Sequence, residues 1–300
     1  MIVIGLAGWG DHDSLYEQGI RGSKLSTYAE HFLTVEVDSS FYAIQPARVT
    51  AKWVDETPSE FRFVVKAYQG MTGHERRRGG GGRSGLSAGG ASGADADFGP
   101  YASEEAIFAA FADSLAPIRE AGKLGAVLFQ FPPWFDCTRE HVQRLCRVRE
   151  LASDWPAAIE FRHQSWYSPE YRERTLAFLR EQGWMHAVCD EPQVMPGSVP
   201  IVPAATHSEG TVVRFHGRNA AGWRASNAPN WREVRYLYDY SERELAEWKP
   251  LIQSLEAQSR NVYVIFNNNS GGHAAGSAKK LMALLGQRRE PDIPRQMELF

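Results

Sequence analysis

Short apolar runs recur along most of the chain, each bounded by polar residues or by glycine and proline. Such runs, rich in valine, isoleucine and phenylalanine, predict strands that are buried on both faces. One of them ends in Glu160, Arg162 and His163. Because burial of unpaired charge is costly, this ending indicates that the strand opens into a pocket. The predicted strands span residues 2–7, 33–38, 61–66, 125–131, 158–163, 184–189, 211–217 and 262–269.

Most of the intervals between these strands carry the periodicity of amphipathic helices. Ser241 and Glu244 have the spacing of a capping box, and Ser168 with Pro169 predicts another helix start, with serine as the N-cap. Strands that alternate with helices favour a parallel sheet, and eight such repeats favour a single closed (β/α)8 barrel of the TIM type. An open doubly wound sheet is the weaker alternative, because no glycine-rich phosphate-binding turn follows the first strand.

Two segments depart from the barrel pattern. Residues 76–99, after the third strand, begin with three arginines and continue almost entirely in glycine, serine, alanine and aspartate. So little apolar surface cannot offset the entropy lost on ordering, so this segment is predicted to be a flexible insertion within a barrel of residues 1–286. Residues 287–300 are charged, contain proline and are predicted to form a C-terminal tail.

Composition narrows the class of protein without identifying its ligand. The 300 residues are 43% hydrophobic and carry a net charge of -3, which gives no global attraction to nucleic acid or acidic membranes. No apolar run reaches the roughly 18 residues of a membrane span, and the N-terminus lacks the basic region of a signal peptide. The three cysteines have no metal-ligand spacing. We therefore expect a cytoplasmic protein in which Cys146 and Cys189 are core thiols.

Polar side chains concentrate where the predicted strands end, and in a barrel this face carries the active site. The opposite strand ends show no comparable set, an asymmetry that favours a functional site over structural ion pairing. Aromatic rings just past the strand ends have the shape to stack on bases or sugars. The candidate residues are Trp9, Glu36, Asp38, Lys66, Gln130, Glu160, Arg162, His163, Trp166, Asp190, Arg214, His216, Asn267 and Asn268.

Glu160, His216 and Asp190 are the catalytic candidates, and the others are assigned to substrate binding. Glu160 suits either a general base or a carboxylate that holds Arg162 by pairing. His216 suits either an acid–base group or a hydrogen-bonded pocket residue.

The cationic candidates Lys66, Arg162 and Arg214 together predict an anionic or phosphorylated ligand. Lys66 could alternatively form a Schiff base with a substrate, but anion binding is the simpler role for this lysine. Carboxylates and His216 at a barrel mouth have the chemistry to hold a divalent metal. No HExxH-type or paired-histidine spacing supports such a site, so no metal ligand is assigned and the cofactor is left open.

A set of short motifs, in fixed order, resembles a known family. They are Ala7-Gly8-Trp9, VEVDSSFY at 35–42, FRFVVKA at 61–67, FQFPP at 129–133, EFRH at 160–163, RFHG at 214–217 and FNN at 266–268. Together they cover nearly the whole chain and resemble the YecE-like family, or domain of unknown function 72, and most of all its YunF-like branch. The resemblance implies a TIM-type barrel but no established reaction. The glycine-rich insertion departs from the family, in which a shorter loop follows this point.

The C-terminal residues Gln296, Met297, Leu299 and Phe300 resemble the peptide by which bacterial replication and repair proteins bind the sliding clamp. The three apolar side chains would fill apolar pockets while the glutamine is held by hydrogen bonds. The alternative is a tail that folds back on the barrel.

Three functions remain open from sequence. The leading hypothesis is a cytoplasmic barrel enzyme that acts, by hydrolysis, on a phosphorylated or nucleic-acid-related substrate and is linked to DNA repair or replication through its tail. The second is a non-catalytic protein that binds nucleic acid or a phosphate ligand in the same pocket. The third is a sugar isomerase or lyase that uses stacking aromatic rings and acid–base carboxylates.

Overall fold

The computed structural model describes residues 1–74, 100–194, 197–224 and 231–287. Eight parallel strands pair in chain order, and the eighth pairs with the first, so they form a closed barrel. The (β/α)8 barrel predicted from sequence is therefore confirmed. The strands are β1 (Ile2–Ala7), β2 (Thr34–Val37), β3 (Arg62–Lys66), β4 (Leu124–Gln130), β5 (Ala157–Glu160), β6 (Met185–Asp190), β7 (Gly210–Phe215) and β8 (Asn261–Phe266).

Helices occupy most of the intervals between strands and cover the outside of the barrel. The predicted capping box is present at the start of α9, where the Ser241 and Glu244 side chains each accept from the other's backbone N–H. The helices are α1 (Lys24–His31), α2 (Ser39–Tyr42), α3 (Ala47–Asp55), α4 (Glu104–Glu120), α5 (Arg139–Leu151), α6 (Arg172–Glu181), α7 (Ala220–Arg224), α8 (Trp231–Arg235), α9 (Glu242–Glu256) and α10 (His273–Leu284).

The predicted helix start at Ser168 is wrong, because α6 begins at Arg172. The carbonyl oxygen of Ser168 accepts hydrogen bonds from the N–H groups of Tyr171 at 3.0 Å and of Arg172 at 2.9 Å, while its hydroxyl has no hydrogen-bond partner. Ser168 instead ends the 3-10 turn Gln164–Tyr167. A further turn therefore separates the serine from the helix that its side chain was expected to cap.

Apolar side chains from most of the strands pack together in the barrel interior, so this part of the interior is a packed core and not a channel. A Cβ atom at Gly125 would lie 2.8 Å from the ring of Tyr263, and one at Gly210 would lie 2.9 Å from the sulfur of Met185. These two glycines therefore make room for large side chains on other strands of the barrel. The other members of the interior cluster are Val3, Ala7, Val64, Ala126, Leu128, Ala158, Ala187, Val212 and Ile265.

None of the helices in the described ranges is long and apolar enough to cross a membrane. The predicted insertion at 76–99 and the predicted tail from residue 288 onward lie outside the described residues. The site described below is formed by the strand ends and loops at the C-terminal mouth of the barrel.

Candidate active site at the barrel mouth

Five strands each contribute one polar side chain to a cluster at the C-terminal end of the barrel. Successive side chains on a strand alternate between the barrel interior and the helical layer. The inward-facing residues at the ends of the strands therefore meet at the mouth. All five except Gln130 are buried, and charged residues are rarely buried unless they are paired. The five are Glu36 on β2, Gln130 on β4, Glu160 on β5, Cys189 on β6 and Arg214 on β7.

Arg214 lies at the centre of this cluster and is 1% exposed. Its Nε donates to Oε2 of Glu36 at 2.8 Å, and its Nη2 donates to the other oxygen of the same carboxylate. Its Nη1 donates to Oε2 of Glu160. One planar guanidinium thus bridges carboxylates from β2 and β5, a geometry that suits arginine and not lysine.

Glu160 has three further polar neighbours around its second oxygen. Oε1 accepts from Nε2 of Gln130 at 2.7 Å and from Nη1 of Arg162 at 3.0 Å, and it lies 3.5 Å from Nε2 of His216. Burial alone would raise the pKa of Glu160, but the charges of Arg214 and Arg162 outweigh burial and hold the pKa well below its ordinary value. Glu160 is therefore ionised at neutral pH.

Glu36 behaves differently although it contacts the same guanidinium. Burial raises the pKa of Glu36 to about 7, an effect that Arg214 reduces and Asp38 reinforces. The two carboxylates that share Arg214 therefore have pKa values driven apart. Such a separation is typical of sites in which one group exchanges a proton while the other keeps its charge.

The buried cluster is short of positive charge. Arg162 pairs with Glu191 at 3.1 Å as well as with Glu160. Three carboxylates, those of Glu36, Glu160 and Glu191, thus share the guanidiniums of Arg162 and Arg214. A proton on Glu36, or a cation brought in from solution, would balance the cluster.

His216 is fully buried and neutral at pH 7. Burial, together with Arg214, lowers the pKa of His216 to about 3. Its Nδ1 is hydrogen-bonded to the side-chain amide of Asn267 at 3.1 Å, whereas its Nε2 has no hydrogen-bond partner. One ligand atom each from Glu160, Cys189 and His216 lie within 4.8 Å of one another. Burial raises the pKa of the Cys189 thiol well above its ordinary value, so the thiol is protonated.

A pair of arginines contacts one indole ring beside this cluster. The guanidinium carbon of Arg235 lies 3.5 Å from the centroid of the Trp223 ring, and that of Arg162 lies 5.3 Å from it. Burial, and then the neighbouring charge of Arg162, lower the pKa of Arg235. Among the described residues no carboxylate lies within ion-pair distance of Arg235, and its Nε has no hydrogen-bond partner. Arg235 therefore has no direct ion pair within the described ranges, although the charges of Glu191 and Glu160 also act on it.

Lys66 and the rings of Trp9 and Phe41 lie on the β1–β3 side of the mouth. The Nζ of Lys66 lies 3.5 Å from Oδ1 of Asp38 and 4.8 Å from the centroid of the Phe41 ring. Trp9 packs edge-to-face on Trp53, with centroids 5.4 Å apart. The lysine is thus already paired, and it is less available to an anion than Arg235.

Asp190, the third catalytic candidate, lies in a separate network. Both of its oxygens accept from Nε of Arg218 at 3.0 Å, and Arg218 also approaches Glu244 at 3.5 Å. Burial raises the pKa of Asp190, and Arg218 opposes that rise. A cavity of about 470 Å³ beside this pair is also lined by Glu191 and Glu247.

Three predicted binding residues are held by local contacts. Trp166 is buried, and its Nε1 donates to the carbonyl oxygen of Phe135 at 2.8 Å. Asn268 is buried and donates to the carbonyl oxygen of Tyr238 at 2.8 Å. Nδ1 of His163 lies 2.7 Å from the hydroxyl of the serine two residues later. Each of these side chains thus has a hydrogen-bond contact within the loops at the mouth, and their assignment to substrate binding stays a prediction.

Sequence reasoning did not single out four side chains of the site, Cys189, Glu191, Trp223 and Arg235. Cys189 is buried, as expected of a core thiol, but its neighbours are charged. Cys189 lies two residues after Ala187 on β6, and residues two apart on a strand face the same side. Alternation along the strand could therefore have placed Cys189 inside the barrel with Ala187. Trp223 and Arg235 belong to short helices in the long connection between β7 and α9, where no periodic pattern indicates which side chains turn inward.

The fold and the charge cluster define the class of molecule, a (β/α)8 barrel protein with buried ion pairs at the C-terminal mouth of its barrel. Residues 3–298 match the family described as "Protein of unknown function DUF72". The chain belongs to this family, as its motifs indicated.

Relatives match between 70% and 100% of the chain. The protein YunF of Bacillus subtilis (strain 168) is 49% identical over 302 residues, which is 100% of both chains. The protein YecE of Escherichia coli (strain K12) is 25% identical over 210 residues, 70% of this chain and 64% of YecE. A DUF72 family crystal structure from Enterococcus faecalis V583 has a TM-score of 0.86 at 36% identity and covers 99% of this chain and 100% of its own. Another, from Thermotoga maritima MSB8, has a TM-score of 0.75 at 28% identity and covers 96% of this chain and 100% of its own.

Proposed function

We propose that the protein is an enzyme that hydrolyses a phosphorylated or nucleic-acid-related substrate bound at the barrel mouth. The observation that carries this proposal is Arg235, a half-buried guanidinium with no carboxylate partner among the described residues and with an Nε that donates to nothing. A cation in this state gains most from a ligand that brings negative charge and hydrogen-bond acceptors.

The surroundings of Arg235 favour phosphate over a single carboxylate. Arg162 contacts the same Trp223 ring, so two guanidiniums are held near each other at the cost of mutual repulsion. A phosphoryl group, with several acceptor oxygens and up to two negative charges, relieves that repulsion better than a carboxylate does.

Glu160 and His216 provide the chemistry in this proposal. At neutral pH the carboxylate is charged and the imidazole is neutral, with an Nε2 that makes no hydrogen bond. A neutral imidazole 3.5 Å from a fixed carboxylate can hydrogen-bond and orient an attacking water, and the carboxylate stabilises the positive charge that develops on that water as it attacks. Asp190 has its own arginine partner and contributes to the adjoining wall of the site.

Calorimetric titration with inorganic pyrophosphate and with a short single-stranded oligonucleotide tests the anion site. Arg235→Gln should weaken pyrophosphate binding at least tenfold, because a hydrogen bond to a charged group contributes about 1.5–3 kcal/mol. Arg260→Gln, at the opposite end of the barrel with a side chain 75% exposed, is the matched control and should bind like the wild type. Equal affinity of the Arg235 variant and the wild type would refute the anion site.

Turnover of phosphate mono- and diesters then separates an enzyme from a binding protein. Glu160→Gln should abolish hydrolysis and retain pyrophosphate binding if the protein is an enzyme. Binding without turnover in the wild type would favour the non-catalytic alternative. Neutral sugars that bind in preference to pyrophosphate would favour the isomerase or lyase alternative.

The C-terminal residues support a separate proposal, a link to DNA replication or repair through the sliding clamp. The supporting observation is the sequence itself, with Gln296 followed by Met297, Leu299 and Phe300. Surface plasmon resonance on immobilised bacterial clamp should show binding of the full chain and none of a chain that lacks residues 296–300. Absence of binding by both forms would remove this link and leave the barrel proposal unaffected.

A further inference from the structure

We propose that Glu160, Cys189 and His216 form a binding site for a thiophilic divalent cation such as Zn²⁺. The three residues come from β5, from β6 and from the position just after β7, and one ligand atom of each lies within 4.8 Å of the other two. Their exposed fractions are 0%, 3% and 0%. Carboxylate oxygen, thiolate sulfur and imidazole nitrogen are the three ligand types that Zn²⁺ takes in proteins.

The imidazole ring of His216 is positioned as that of a metal ligand would be. Its Nε2 is buried without a hydrogen-bond partner, which is costly for a polar atom unless something else binds it. That nitrogen lies 3.5 Å from Oε1 of Glu160, and ligand atoms around a tetrahedral zinc ion are roughly 3–4 Å apart. The other ring nitrogen is held by Asn267 at 3.1 Å, as outer-shell partners hold metal-binding histidines. With a metal on Nε2, Nδ1 carries the hydrogen and donates to the amide oxygen of Asn267 after a half-turn of that amide.

The neighbouring charges also favour a cation. Glu36, Glu160 and Glu191 share the two guanidiniums of Arg214 and Arg162, so a cation beside Glu160 adds positive charge where three carboxylates meet. Arg162 competes for Oε1 of Glu160 at 3.0 Å, and Gln130 donates to the same oxygen at 2.7 Å. When the ion binds, Arg162 can keep its ion pair with Glu191, whose carboxylate oxygen lies 3.1 Å from the guanidinium.

Metal binding would change the state of the thiol. The thiol of Cys189 loses its proton to solvent when its sulfur ligates the ion, so the thiolate and the Glu160 carboxylate together match the two positive charges. Three protein ligands leave one position for water, the arrangement of catalytic zinc sites, in which the bound water is a stronger acid. The inference goes beyond the proposed hydrolysis and does not depend on it, since metal binding is measured without a substrate.

Cobalt spectroscopy on a chain with one cysteine tests the site directly. The sequence contains three cysteines, so the double variant Cys137→Ser/Cys146→Ser keeps only Cys189. Titration of this folded protein with Co²⁺ should give one bound ion per chain, with a thiolate-to-cobalt charge-transfer band that Zn²⁺ abolishes. No stoichiometric binding, or binding without that band, would overturn the proposal.

Two further variants identify the other contributions. Adding Cys189→Ser should remove the band and weaken Zn²⁺ binding at least tenfold, and undiminished binding would contradict the proposal. Asn267→Ala leaves the three ligands in place and should weaken Zn²⁺ binding about ten- to hundredfold, the range for outer-shell partners. Unchanged affinity in that variant would contradict the assignment of His216 as a ligand. If the Cys189 variant does not fold, the band in the one-cysteine protein still decides the question.

Discussion

Glutamine at Glu36 and glutamine at Glu160, the two carboxylates that share Arg214, should change the free energy of unfolding in opposite directions at neutral and alkaline pH. Glu36 and Glu160 are both fully buried and both accept hydrogen bonds from that guanidinium. Their pKa values move in opposite directions, with that of Glu36 raised to about 7 and that of Glu160 well below its ordinary value. Glutamine keeps the size of either side chain and removes the charge.

The pKa of Glu36 sets the size of the expected effect. The folded state holds the proton on Glu36 more tightly than the unfolded state, in which the value is 4.5. The stability that protonated Glu36 contributes is therefore complete below pH 4.5 and is lost as the pH rises through about 7. The difference between the pKa of Glu36 in the unfolded state and in the folded state corresponds to about 3 kcal/mol of unfolding free energy. Between pH 4.5 and about pH 8, the unfolding free energy of Glu36→Gln should thus gain about 3 kcal/mol relative to the wild type.

Glu160→Gln should behave in the opposite way. It removes the charge that Arg214 and Arg162 both face, and breaking a buried pair in this way costs roughly 3–5 kcal/mol. Because the carboxyl is ionised above acidic pH, this loss should persist from pH 5 to pH 8.

Urea unfolding followed by circular dichroism, in buffer with a chelator, measures both effects. Glu181→Gln, an exposed carboxylate at the end of α6, is the matched control and should follow the wild type at every pH. The reasoning would be refuted if the gap between Glu36→Gln and the wild type stayed constant with pH. It would also be refuted if Glu160→Gln were as stable as the wild type at pH 8.

Three other outcomes concern the fold. Burial lowers the pKa of His186 to about 4 from 6.5, so the stability given by its neutral form is present above pH 6.5 and about 3 kcal/mol of it is lost as the pH falls to about 4. Urea unfolding across this range should show that loss in the wild type and not in His186→Gln. Ser241→Ala should cost about 1 kcal/mol by removing the capping box, whereas Ser254→Ala on the same helix should not. Trp166→Ala should lower the unfolding free energy by about 3–5 kcal/mol, and an unstable variant that still binds pyrophosphate normally would place Trp166 outside the site.

The position of Arg235 illustrates why the connection between β7 and α9 matters for function. Loops at the C-terminal mouth carry specificity in barrels of this type, while the strands below carry stability. Here Arg235, in the connection, has no direct ion pair within the described residues, whereas the strand residues form ion pairs with one another. Changes in this connection are expected to alter ligand choice with little effect on unfolding.

The sequence by itself determined the barrel and the residues near its mouth. Periodicity is a local property, because each strand or helix shows its buried face in its own few residues. The polar ends of the strands, such as Glu36, Glu160 and Arg214, could therefore be recognised one segment at a time. The start of α6 could not, because the backbone of Ser168 is used to close a neighbouring turn.

Only the tertiary structure decided which of these groups are paired and which are free. Arg214 and Glu36 are separated by 178 residues and meet because the closed barrel brings β7 and β2 to one end. Burial and pairing then set opposite pKa directions for two glutamates that look alike in sequence. The same closure places the thiol of Cys189 beside His216. Charge state and proximity depend on the whole barrel, whereas the pattern of each element depends only on itself.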